Sequence, residues 1–150
     1  MTQFDKRNLS MMMDFYEMTM SHGYFHGGYG DVRVAFDLFF RSVPDKGGYA
    51  VFAGLEHVIE FVENLAFSDA DIDYFRAQNL FSEEFLTFLR GFRFRGDIYA
   101  VPEGTIIYPD EPLMTIVAPI IDAQLIETAV LAQINHQSLI ATKASRIVRA

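Results

Sequence analysis

At 150 residues the chain has the length of about one domain, and half of it is apolar, with fifteen Phe from which to build a core. No apolar run reaches the 18 residues of a membrane-spanning helix, "MTQFDKRNLS" lacks the apolar stretch of a signal peptide, and zero Cys excludes disulfides and thiolate metal sites and fits a reducing cytosol. The net charge of −8 argues against non-specific nucleic-acid binding, yet leaves room for small anions held by a few local donors.

Leu9, Met12, Met13, Tyr16 and Met20 recur at helical spacing, so the sequence predicts an amphipathic helix from about Leu9, capped by Asn8 or Ser10 and ended by "HGGYG". The apolar run has a carboxylate, Asp14, at its centre. "VRVAFDLFF" alternates Val32, Val34, Phe36, Leu38 and Phe40 with Arg33, Ala35 and Asp37, the pattern of a strand with one buried face. "SVPDKGGYA" reads as a loop, and residues 51–65 return to helical spacing. Ser68 before Asp71, and Ser82 before "EEFLTFL", predict N-capped helices over 69–77 and 83–90. From Phe92 to Pro119, Pro or Gly every few residues divides the chain into three or four short strands. From Asp122 past Ala141 one helix is expected, apolar on more than one face. It runs into "KASRIVRA", where Lys143, Arg146 and Arg149 gather with no acid after Glu127 and no terminating signal. Continuation beyond Ala150 is therefore expected.

Chemistry-bearing patterns are sparse. His22 and His26 are spaced i, i+4, but Gly23 and Gly27-Gly28 argue against a stable helix there, and no metal set is expected. There is no Walker loop, no GxGxxG and no Ser-His-Asp arrangement. "EGTIIYPDEPLMTI" is similar to the barrel-sandwich of lipoyl and biotinyl carriers, but the absence of Lys between Lys46 and Lys143 argues against a carrier. Residue types alone support a soluble α+β domain in which Tyr16 packs in the core and Arg41 leaves it at a strand edge.

Three long segments, in order, resemble the nicotinate phosphoribosyltransferase family: "MMMDFYEMTMSHGYF"; "VAFDLFFRSVPDKGGYAVFAGLEHVIEFVENLAFSDADIDYF"; and "FRFRGDIYAVPEGTIIYPDEPLMTIVAPIIDAQLIETAVLAQINHQSLIATKASRI". The likeness covers about residues 8–148. Met13 departs from it, standing where many members carry Thr. The resemblance implies an α+β fold with a barrel-sandwich, hammerhead-like part in 1–120. Residues 121–150 would lead into an α/β barrel beyond this chain. That barrel would hold the phosphorylatable His and the Arg for the nicotinate carboxylate, so no catalytic residue is expected in these 150 residues, and the piece alone should be inactive.

The implied reaction joins nicotinate to 5-phosphoribosyl-1-pyrophosphate, giving nicotinate mononucleotide and pyrophosphate with ATP hydrolysis and Mg²⁺, in cytoplasmic NAD salvage. The implied assembly is a homodimer with a shared site; nucleic acid and membrane are not expected partners. By position in the motifs, Tyr16 matches the aromatic that stacks on the pyridine, Asp14 the nearby acid, and Arg41 a basic residue approaching the phosphates. Lys143 and Arg146 either face anionic substrates or are basic residues favoured near a helix C-terminus. Glu127 is read as a support of its own helix. A nicotinamide or quinolinate phosphoribosyltransferase piece, or a non-enzymatic barrel-sandwich module, is the alternative reading.

Overall fold

The computed structural model describes residues 9–43 and 47–149, so Asn8 as a cap and the middle of the 42–50 loop lie outside the described residues. The elements run α1 (Phe15–His26), β1 (Arg33–Leu38), β2 (Ala50–Val51), α2 (Leu55–Asn64), α3 (Asp69–Ala77), α4 (Glu83–Arg90), β3 (Asp97–Ala100), β4 (Ile106–Ile107), β5 (Met114–Pro119), α5 (Ile120–Gln124) and α6 (Glu127–Arg149). The α+β class is as expected.

β5 lies between β1 and β3 in an antiparallel sheet, with Leu38 opposite Met114 and Asp97 opposite Val117. Met114, Ile116 and Ala118 are buried on this central strand, and Val34, Phe36 and Leu38 turn the better-covered side of β1 toward the core. β2 and β4 pair separately, Ala50 opposite Ile107. The described strands thus form a three-stranded sheet and a two-stranded ribbon. That topology does not display the barrel-sandwich expected from the turn pattern.

Local signals account for α3 and α4, which have the predicted bounds. The Ser68 hydroxyl accepts from Asp71 N–H while the Asp71 carboxylate accepts from Ser68 N–H, and Ser82 accepts from Phe85 N–H. These bonds satisfy donors that a helix start leaves orphaned. Between the two helices and α1 lies an aromatic core: Phe85 is fully buried, with ring centres 5.5 Å from Phe25 and 5.9 Å from Phe81.

Three expectations fail, the first two for long-range reasons. α1 starts at Phe15 with Asp14 at the N-cap, because Ser10, the predicted cap, instead bonds both the carbonyl and the N–H of Ala66. Gly23 lies inside α1, its cost in helix propensity of about 1 kcal/mol overridden by packing of its neighbours Met18, Ser21 and Phe25. The final helix is two: α5 ends at Gln124, and α6 starts anew at Glu127. Burial on several sides holds through Ile134 and fades afterwards, with Ile147 and Val148 exposed.

Phe85→Ala is expected to lower unfolding free energy by about 3–5 kcal/mol, and Ser68→Ala by about 1 kcal/mol. Urea denaturation checks both; equal effects would contradict this division between core and cap.

Candidate functional site

The predicted helix stripe is mostly not the buried one. Tyr16 and Met20 are 44% and 41% exposed, whereas Glu17, Met18 and Ser21 are fully buried. The Glu17 carboxylate Oε1 accepts from Thr128 N–H at 2.8 Å and from the Thr128 hydroxyl; Oε2 has no partner among the described residues. Loss of water pushes the Glu17 carboxyl above its ordinary value, against the Thr128 bonds that lower it. A carboxylate at the first turn of α6 also meets the N–H groups and positive end of that helix.

With Glu17 turned inward, the neighbouring Tyr16 reaches the same helix start from outside. Its O–H donates to Glu127 Oε1 at 3.1 Å, and Glu127 Oε2 accepts from Gln124 Nε2 at 2.6 Å. Burial, then Glu127, pushes the phenol up to about 12. Glu127 therefore does more than support its own helix.

Asp14, Tyr16 and Arg41 all line one cleft of about 720 Å³ between the start of α1, the end of β1 and one face of α6. Its remaining wall is largely apolar, with Leu38, Phe39, Leu131 and Leu139 among the lining residues. The Asp14 side chain makes no capping bond, so its carboxylate is not consumed by the helix. Arg41 lies exposed just past β1. The cleft thus combines an aromatic ring, a carboxylate and a guanidinium on apolar walls, a set able to hold a flat, polar, anionic molecule.

Lys143 and Arg146 do not line this cleft. Lys143 is exposed, and Arg146 lies over the Tyr49 ring at 5.7 Å from its centre while donating to the Tyr49 carbonyl. Sequence reasoning missed the contacts of three groups. Glu103 Oε1 accepts from the N–H groups of Gly54 and Leu55, capping α2 at a glycine with φ of 109°. Buried Asp122 accepts from the backbone and guanidinium of Arg95. His22 and His26 bring their Nε2 atoms within 2.9 Å, and His22 also accepts from Ser82 N–H. Only the i, i+4 spacing of the histidines gave any prior signal.

Among the described residues, no three His, Cys, Asp or Glu groups converge as a metal site.

Fold and cleft define an α+β domain with a ligand-sized cleft, and comparison with known proteins makes the class specific. A crystal structure of human nicotinic acid phosphoribosyltransferase superposes with a TM-score of 0.83 at 32% identity, covering 89% of this chain and 27% of that one. Nicotinate-nucleotide pyrophosphorylase from Pyrococcus furiosus shares the fold, with a TM-score of 0.62 at 21% identity, over 89% of this chain and 27% of its own. In sequence, nicotinate phosphoribosyltransferases of Mycobacterium tuberculosis and Bacillus subtilis are 46% and 44% identical, over 94% and 96% of this chain and 30% and 29% of their own.

Residues 11–135 match the family model of the nicotinate phosphoribosyltransferase (NAPRTase) N-terminal domain, and the chain belongs to that family. It spans about 30% of the length of these curated relatives.

The buried Glu17 generates a pH prediction. Its folded-state value is raised, so the folded chain holds this proton more tightly than the unfolded chain. The stabilisation is full below the ordinary value of 4.5 and is lost as pH rises through the raised value. Urea midpoints measured upward from about pH 4.5 should fall less steeply in Glu17→Gln, which keeps an acceptor for Thr128; an unchanged slope would contradict the assignment.

Proposed function

We propose that this chain is the N-terminal part of a nicotinate phosphoribosyltransferase of cytoplasmic NAD salvage. The complete enzyme would join nicotinate to 5-phosphoribosyl-1-pyrophosphate, releasing pyrophosphate, with ATP hydrolysis. The observation that carries the reading is the convergence of Asp14, Tyr16 and Arg41 on one apolar-walled cleft.

Each residue has a chemical task in that reaction. The Tyr16 ring stacks on the pyridine and fixes its plane, worth about 0.5–1.5 kcal/mol beyond area burial. Arg41 meets the phosphates, where a charge-assisted bond contributes about 1.5–3 kcal/mol. Asp14 accepts from ribose hydroxyls or from groups that position them. Holding the flat nucleophile in line with the anomeric carbon, and neutralising the departing pyrophosphate, are what lower the barrier. The family's phosphorylatable His and carboxylate-binding Arg belong to the barrel part, so this chain contributes walls and positioning. ATP and Mg²⁺ belong to the complete reaction, and nothing assigned to these residues passes through them.

The barrel-sandwich likeness of the 103–116 region, the division at residue 120 and the homodimer with a shared site belong to this proposal. Exposed apolar residues that line the cleft, Phe39 just past β1 and Leu131 on α6, support a further protein surface there.

In the complete enzyme, Tyr16→Ala should raise KM for nicotinate about two- to tenfold with thermal stability retained. Arg41→Ala should raise KM for 5-phosphoribosyl-1-pyrophosphate about tenfold to a hundredfold. Steady-state assays check both, and unchanged KM values would remove the two residues from the substrate site. The isolated 150 residues should form no nicotinate mononucleotide; product above background would overturn the division of labour.

A further inference from the structure

Glu127 stands at the first position of α6 with both carboxylate oxygens engaged, one by the Tyr16 phenol and one by Gln124. Gln124 is 3% exposed, so its amide is held by the fold and the carboxylate cannot swing away. The phenol O–H is committed to Glu127, and what Tyr16 offers the cleft is its ring. Burial, and then the Glu127 carboxylate, raise this phenol further above its ordinary value, so it is protonated at neutral pH. The contact is therefore an O–H···O⁻ bond. A phenol donating to a carboxylate gains electron density in its ring, and the negative face of the ring attracts a cation above it.

We propose that Glu127 is a positioning residue that makes Tyr16 a charge-selective stacking surface, favouring the pyridinium ring formed in the reaction over the neutral pyridine that enters. The inference rests on the function proposed above. In that reaction the lone pair of the pyridine nitrogen forms the bond to ribose C1′. The C1′–O bond to pyrophosphate breaks, its electron pair leaves with pyrophosphate, and the ring nitrogen ends positively charged. A surface tuned to that charge binds the transition state more tightly than it binds nicotinate, so its effect falls on kcat.

The experiment compares two probes carrying the same carboxylate, N-methylpyridinium-3-carboxylate and benzoate, by calorimetric binding to the complete enzyme. Glu127→Gln keeps an oxygen to accept the phenol hydrogen and removes the charge; the Gln124 amide can turn to meet it. The ratio of pyridinium to benzoate affinity should fall about two- to fivefold, with kcat lowered and KM for nicotinate little changed. Tyr16→Phe, which leaves Glu127 untouched, should lower the same ratio, and in that background Glu127→Gln should have no further effect.

Equal weakening of both probes, an unchanged ratio in Tyr16→Phe, or a full Glu127→Gln effect in the Tyr16→Phe background overturns the proposal. Normal wild-type turnover with any of these results overturns this inference alone. A wild-type enzyme that binds neither probe and makes no nicotinate mononucleotide overturns the proposed function and this inference with it.

Discussion

One buried carboxylate sets the geometry of the cleft. Glu17 and Thr128 lie 111 residues apart, and their contact ties the first turn of α1 to the first turn of α6. The arrangement is half satisfied: Oε1 has two donors, while Oε2 has none among the described residues. A buried carboxylate with an open lone-pair side costs free energy that packing elsewhere must offset. The aromatic core beneath α1, centred on Phe85 and Phe25, supplies that packing. Because successive helical residues are rotated by about 100°, fixing Glu17 inward also fixes where Tyr16 points. The ring then has one anchored position, with its oxygen on Glu127 and its body along the cleft.

How much of this was legible in the sequence depends on the range of the interaction. The caps at Ser68 and Ser82 are three-residue signals, and the helices they start have the expected bounds. The alternation in β1 is equally local. The start of α1 was not legible: Ser10 looks like a cap until Ala66 takes both its donor and its acceptor capacity. Nor was the buried face. The Leu9–Tyr16–Met20 stripe reads as core, yet the fold buries Glu17, Met18 and Ser21, and the exposed stripe faces outward or into the cleft. A polar residue buried against a partner more than a hundred positions away leaves no periodic trace.

The candidate site divides along the same line. Asp14, Tyr16 and Arg41 were singled out because their segments resemble a family, and the fold brings all three to one cleft. The support of Tyr16 was seen only in part: Glu127 reads as supporting its own helix, and its contact with Tyr16 across 111 residues leaves no local mark. Lys143 and Arg146 read in sequence either as phosphate-facing or as basic residues near a helix C-terminus; both lie outside the cleft, with Arg146 over Tyr49. The described fold holds one ring and two charged side chains at the edge of a single cleft.

The central claim is that the fold presents the Tyr16 ring to a ligand rather than packing it away. A crystal structure of the complete enzyme with bound nicotinate measures this directly. The account predicts the pyridine ring with its centre within about 4.5–7 Å of the Tyr16 ring centre, and the phenol still on Glu127. A pyridine bound elsewhere, with Tyr16 enclosed by side chains of its own subunit, would contradict it.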